Sequence, residues 1–127
     1  FIEIAEDSPV SKAGIPLPKN GKDTVASLQY RLIKQNPYKL TSDDLLFQVH
    51  AQRNDLTEEE LQDAREVYFS KGQACMRASP LTKRYGWGIH NDAESRIALV
   101  PRESEDYNRL LLDERVSKVK AMRSSRK

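Results

Sequence analysis

The segment Trp87-Gly-Ile-His-Asn-Asp-Ala-Glu-Ser-Arg-Ile-Ala-Leu99 is typical of a β-hairpin. Two strand-like stretches flank the polar turn formed by residues 91–95. Helical patterns lie on both sides of this hairpin, without the regular strand–helix alternation of βαβ units. The chain is therefore predicted to form an α+β fold, with an antiparallel or mixed sheet of about four or five strands and about three helices.

Three helices are predicted from capping residues and apolar spacing. The first spans residues 24–35 and begins at the capping residue Thr24. The second spans residues 57–70 and opens with the capping box Thr57-Glu-Glu-Glu60. The third spans residues 103–114 and carries acidic residues in its first turn, where they suit the helix dipole.

Residues 45–52 have a mixed pattern. The preceding Thr41-Ser-Asp-Asp44 has the character of a helix start. Within the segment, however, Leu45, Phe47 and Val49 alternate with other residues, and this is strand periodicity. We therefore predict a strand here and keep a helix as the alternative.

The chain is predicted to be one domain over residues 1–127, because its length is close to the commonest domain size. Residues 1–6 are predicted to form a strand, and residues 8–23, rich in Pro, Gly, Ser and Lys, a long surface loop. The basic segment 115–127 is either a last strand or a partly ordered tail. The chain starts with a phenylalanine, which predicts a short further segment upstream.

Composition limits the classes of function. No apolar run approaches the ~18 residues of a membrane span, so we expect no membrane partner. Cys75 is the only cysteine, which excludes an intramolecular disulfide and favours the reducing cytoplasm. Together with His50 and His90 it supplies too few ligands for a closed zinc site. Glycine-rich phosphate loops and calcium loops are also missing, so we expect no metal and no cofactor, and leave open whether the protein is an enzyme.

The net charge of +2 hides an uneven distribution. Residues 115–127 hold six of the 21 basic residues and no acidic ones, which leaves 15 basic against 19 acidic residues in the rest of the chain. An acidic body with a basic tail suggests either an anionic partner or a tail that lies on its own body.

Residues 77–90 have the least ordinary composition of the chain. They combine cations, aromatic rings, hydroxyl groups and glycines without helical periodicity, so we predict a loop. Cations there could hold a phosphate or carboxylate, and an aromatic ring could stack on a flat ligand. The leading hypothesis is a small non-catalytic binding module for an anionic small molecule. Its candidate ligand-binding residues are Arg77, Ser79, Lys83, Arg84, Tyr85, Trp87 and His90, with Arg123 and Ser125 from the tail.

Two functional alternatives use parts of the same segments. In the first, His90 is the general acid or base of a small enzyme, with Tyr85 or Ser79 nearby. In the second, the basic C-terminal segment binds nucleic acid, since Lys118 and Lys120 would share one face of a strand. The tail lacks aromatic residues, so no stacking platform accompanies its charge.

A structural interpretation competes with all of these. Trp87 and Ile89 lie two apart on a predicted strand, which is typical of core residues. Lys83 and Arg84 are typical of a solvated turn. Cys75 is predicted to be a buried small hydrophobe rather than a nucleophile.

Three motifs carry a resemblance to a known family. They are Asn36-Pro-Tyr-Lys39 followed by Thr41-Ser-Asp-Asp44, Ala78-Ser-Pro-Leu-Thr-Lys-Arg-Tyr-Gly-Trp-Gly-Ile-His90, and Lys120-Ala-Met-Arg-Ser-Ser125. On these motifs the chain resembles a widespread, mainly bacterial family of short proteins classed as a domain of unknown function. The resemblance spans nearly the whole chain and implies a single compact domain. It implies no activity, cofactor or catalytic residue.

Overall fold

A computed structural model of the protein describes residues 1–124. Helices and strands are intermixed along the chain. In order they are β1 (Ile2–Glu3), α1 (Val25–Gln35), α2 (Ser42–Arg53), α3 (Glu58–Ser70), α4 (Pro80–Lys83), β2 (Trp87–Asn91), β3 (Ile97–Pro101), α5 (Glu105–Leu112) and β4 (Val119–Lys120), with a 3₁₀ turn at Met76–Ala78. No helix in this part of the chain has both the length and the apolar character needed to cross a lipid bilayer.

The four described strands form one mixed sheet in the order β3-β2-β1-β4. β1 pairs in parallel with β4, whereas the other neighbours are antiparallel. In the β2–β3 hairpin Ile89 lies opposite Leu99. The predicted α+β fold with a mixed sheet of four or five strands is confirmed.

The sheet is covered on both faces. Ile89 and Ile97 point to one face, where they pack with Leu28 and Ile33 of α1 and Leu45 of α2 in the main core. On the other face a smaller apolar cluster forms from Phe1, Ile4, Val100 and Tyr107, the last of these on α5. Side chains alternate between the faces of a strand, so the neighbouring residues Leu99 and Val100 of β3 belong to different clusters.

The predicted strand at residues 45–52 is wrong, because these residues form most of α2. Thr41 and Asp44 make a reciprocal capping box, in which each side chain accepts a hydrogen bond from the other's backbone N–H. Leu45 and Val49, one helical turn apart, face the main core, while Phe47 is buried on another side against Tyr68 of α3. Because α2 is covered on two sides, its buried residues Leu45, Phe47 and Val49 are spaced two apart, which is also the spacing of one face of a strand.

Two other expectations also change. In residues 1–124, four helices have eight residues or more, and α4 is a single helical turn. About three helices were predicted, and α2 is the helix that the prediction lacked. Cys75 is exposed, so its prediction as a buried residue is wrong. It ends the exposed stretch 71–75 after α3, and burial begins at the next residue, Met76.

Tyr107→Phe is expected to lower the free energy of unfolding by about 1–3 kcal/mol, because it leaves a buried donor without a partner. The Tyr107 hydroxyl accepts a hydrogen bond from the Ile4 backbone N–H at 2.9 Å, in the smaller cluster. Urea unfolding followed by circular dichroism measures the change. Tyr30→Phe is the matched control, because the Tyr30 hydroxyl makes no hydrogen bond to any described residue. Equal losses in the two variants would contradict the assignment.

Candidate functional site

The glycines on either side of Trp87 make room for the chain's own atoms. Gly86 has a φ of +80°, and a Cβ there would lie 2.8 Å from the Lys12 carbonyl oxygen. A Cβ on Gly88 would lie 2.8 Å from the rings of Phe1 and Tyr107. The close approach that the Gly-Trp-Gly pattern allows is therefore occupied from within the molecule.

Trp87 is a core residue, as the structural interpretation predicted. Its side chain is 6% exposed, and its ring centroid lies 5.3 Å from that of Tyr30. The indole Nε1–H donates to the Gly14 carbonyl at 2.8 Å, and the Gly14 N–H donates to the Tyr85 carbonyl at 2.9 Å. These two hydrogen bonds attach the N-terminal segment to the start of β2.

This attachment orients the middle of the 8–23 segment. Pro16 is buried, whereas the side chains on either side of it, Ile15 and Leu17, are 62% and 74% exposed. The segment is also held by Arg102, which donates to the Val10 carbonyl at 2.6 Å. Two large apolar side chains are thus displayed at the surface on a segment with fixed attachment points.

A groove lies between this segment, the start of α1 and the single turn of α4 with the two residues after it, and we call it the Arg84 groove. Its volume is about 620 Å³. Lys19 and Arg84 line it, both exposed, and neither forms an ion pair with any described residue. The lining residues are Ile15, Leu17, Lys19, Thr24, Val25, Ala26, Pro80, Arg84 and Tyr85. The groove therefore combines unpaired positive charge with apolar walls.

The rest of the predicted site is dispersed, and residues 77–90 are not a loop. Ser79 caps α4 and is followed by Pro80 at the first helical position, a combination that favours a helix start. The Ser79 hydroxyl is buried and donates to the Gln29 side-chain oxygen at 2.5 Å. Its position is that of a core residue. Lys83 is half-buried and is not among the residues that line the Arg84 groove.

Arg77, in the 3₁₀ turn before α4, contacts the C-terminal strand β4. Its Nε–H donates to the Lys120 carbonyl at 2.8 Å, and its own carbonyl accepts from the Met122 N–H. The Lys120 ammonium pairs with Glu6 at 3.1 Å. Arg123 is exposed, while Ser125 and the last two basic residues lie outside the described residues. Arg77 and Lys120 thus serve to attach the end of the chain to the body.

His90 lies on the opposite face of β2 from Trp87. Its Nδ1 is 2.9 Å from the Tyr38 hydroxyl, and which atom carries the proton depends on the imidazole tautomer. Burial lowers the pKa of His90, whereas burial, followed by the nearby Asp92 carboxylate, raises the pKa of Tyr38. Both groups are therefore neutral near pH 7. They form a surface pair that is separate from the Arg84 groove.

The whole chain matches the model of one protein family. That model, described as a family of unknown function (DUF6157), covers residues 1–127. The chain belongs to DUF6157. The predicted membership of a family of unknown function is confirmed, and the family description assigns no activity to the chain. No curated protein and no solved structure matches the chain.

Of the candidate ligand-binding residues predicted in this DUF6157 chain, Arg84 and Tyr85 line the Arg84 groove, whereas the opposite wall of the groove was not predicted. That wall comes from Ile15, Leu17 and Lys19, in a segment predicted only as a surface loop. A signal was present, since two large apolar residues stand beside prolines in an otherwise polar stretch. In residues 1–124 no cluster of three or more His, Cys, Asp or Glu side chains could hold a metal ion.

Proposed function

We propose that this DUF6157 member is a non-catalytic binding module that holds an organic anion in the Arg84 groove. The observation that supports it is the pair of cations, Lys19 and Arg84, which lack ion-pair partners among the described residues and line the same groove. A guanidinium can bind a carboxylate or phosphate through two parallel hydrogen bonds, and an ammonium adds a point charge. The charged end of the ligand would lie between these two side chains.

The apolar walls indicate the other part of the ligand. Ile15 and Leu17 are mostly exposed in the free protein, and Tyr85 offers a half-buried ring beside them. Covering apolar surface is favourable by about 25 cal/mol per Å². The ligand class that matches the groove is a carboxylate or phosphate ester with an aliphatic or aromatic body.

The lining also favours binding over catalysis. It contains cations and the hydroxyls of Thr24 and Tyr85, but no carboxylate, histidine or cysteine that could act as a general base or nucleophile near neutral pH. We also propose a cytoplasmic location, because the exposed free thiol of Cys75 suits a reducing compartment.

Thermal shift with defined probes tests the groove. Octanoate, benzoate and phenyl phosphate are the anionic probes, and benzyl alcohol is the neutral control. At 100 times its dissociation constant, a bound anion should stabilise the protein by about 2.7 kcal/mol, which raises the melting temperature of a domain of this size by roughly 10 °C. Benzyl alcohol should give no comparable shift.

Two neighbouring cations supply the matched variants. Arg84→Gln should abolish the shift, whereas Lys83→Gln, with the same change of charge outside the groove lining, should preserve it. Equal loss in both variants would indicate attraction by net charge alone. No shift with any anionic probe, or a shift that survives Arg84→Gln, would rule out this groove as the binding site.

A further inference from the structure

Charge is divided between two parts of the molecule. Helices α2 and α3 and the turn between them, residues 42–71, hold eight acidic and three basic residues, and we call them the acidic lobe. The rest of the chain holds 18 basic and 11 acidic residues. The lobe therefore carries a formal charge of −5 beside a body of +7, so its field attracts cationic partners.

Helix α3 lies at the edge of the molecule and has no buried residue. It is held to α2 by the Arg65–Asp44 ion pair, at 3.1 Å, and by the Tyr68 ring, which contacts the rings of Phe47 and His50. Its apolar side chains are covered only in part, and Val67 is 52% exposed. Packing normally supplies most of a helix's stability in a folded protein. A partner that covered the remaining apolar surface of α3 would therefore stabilise this helix.

A groove lies between α2 and α3, and we call it the α2–α3 groove. Its volume is about 930 Å³, and it shares no lining residue with the Arg84 groove. The apolar side chains that line it are Phe47, Ala51, Leu56 and Leu61. The carboxylates of Asp55 and Glu58 also line it, and the cation present, Arg65, is already paired with Asp44.

We infer that the α2–α3 groove docks an amphipathic helix of a partner protein, with large apolar residues on one face and Lys or Arg beside them. A third helix laid between α2 and α3 would cover the apolar floor, as in other helix-in-groove complexes. Its cations would face Asp55 and Glu58, and the charge of the whole lobe would speed the encounter. Charge complementarity thus selects a basic occupant.

The same charges disfavour a second copy of this chain in a symmetric arrangement. A two-fold contact through α3 would bring two acidic lobes together, since such a contact places the same surface patch against itself. Like charges across an interface oppose association. A basic helix from a different protein avoids this repulsion.

The probe is a fluorescein-labelled 14-residue peptide of leucine and lysine, with leucines at helical spacing, titrated with the full chain by fluorescence anisotropy. Two control peptides are a scrambled sequence of the same composition and a version with glutamate in place of lysine. We expect the first peptide to bind at least tenfold more tightly than either control. Its affinity should fall as salt rises from 50 to 300 mM, because exposed charges are screened.

Neighbouring residues of α3 supply matched variants. Glu58→Lys, in the groove, should weaken binding about tenfold, whereas Glu59→Lys, outside the groove lining and with the same charge change in the same helical turn, should change it less than twofold. Leu61→Asp should abolish binding and Val67→Asp should preserve it, since Val67 lies on the other side of α3. Circular dichroism confirms that each variant is folded.

Several results would overturn the inference. Equal affinity for the peptide with leucines at helical spacing and for its scrambled control would mean that the acidic lobe only attracts cations in general. Equal effects of Glu58→Lys and Glu59→Lys would place the contact elsewhere. If sedimentation shows that the protein self-associates and that Leu61→Asp removes this association, the occupant of the groove is a second copy of the chain. If the peptide does not bind, the α2–α3 groove does not dock a basic helix.

Discussion

Trp87→Ala is expected to lower the free energy of unfolding by about 3–5 kcal/mol, the usual cost of truncating a buried tryptophan. The indole is almost wholly buried in the main core, and its ring lies beside that of Tyr30 at an angle of 51°. Its removal leaves a cavity that the surrounding sheet and helices can only partly fill. It also removes the hydrogen bond to the Gly14 carbonyl, and with it one attachment of the 8–23 segment.

Urea unfolding followed by circular dichroism measures this loss, since the variant lacks the chain's only tryptophan as a fluorophore. Trp87→Phe is the control, because it keeps an aromatic ring in the core and loses the indole N–H. We expect it to cost less than half as much, since a single hydrogen bond is worth about 0.5–1.5 kcal/mol and Gly14 is exposed to water. A loss below 1 kcal/mol for Trp87→Ala would contradict the core assignment.

Gly86→Ala is expected to lower the free energy of unfolding by about 2–4 kcal/mol, for two additive reasons. A residue with a side chain is strained at a φ of +80°, at a cost of about 1–3 kcal/mol. The new Cβ would also meet the Lys12 carbonyl oxygen at 2.8 Å and the Ala13 backbone at 3.0 Å, so the N-terminal segment must move. Displacing that segment also displaces one wall of the Arg84 groove.

Two measurements separate these effects. Chemical denaturation gives the global loss, and limited proteolysis reports release of residues 8–23 through faster cleavage at Lys12 or Lys19. Gly14→Ala is the matched control, because its Cβ would meet no atom within 4 Å and its φ is ordinary. That variant should be neutral or gain up to about 1 kcal/mol, since alanine restricts the unfolded chain. Similar stability of Gly86→Ala and Gly14→Ala would refute the close backbone contact.

Much of the fold could be predicted because its signals are local. Thr24, predicted as a capping residue, and Thr57, predicted as the start of a capping box, both precede the helices expected after them. The hairpin follows from two strand-like stretches around a polar turn. Each of these signals acts over three to five residues, so it does not depend on what the rest of the chain does.

The strand predicted at residues 45–52 failed for a reason that no local pattern contains. Leu45 and Phe47 are both buried because different neighbours cover α2 on different sides. Periodicity indicates one buried face, and a helix between two partners has two. The capping signal at Thr41 was the better guide, since it reports the start of the helix irrespective of its surroundings.

The candidate site also has some features that the sequence determines and others that depend on the tertiary structure. The sequence by itself determined that residues 77–90 have an unusual composition, but it left Trp87 open between a ligand-binding and a core position. It also determined the charges of the acidic lobe and of the basic remainder. Only the tertiary structure decided that Arg84 lines the same groove as Ile15 and Leu17, that Ser79 is buried against Gln29, and that His90 pairs with Tyr38. Composition is a property of the chain alone, whereas a groove forms from residues far apart in sequence that packing of the core brings together.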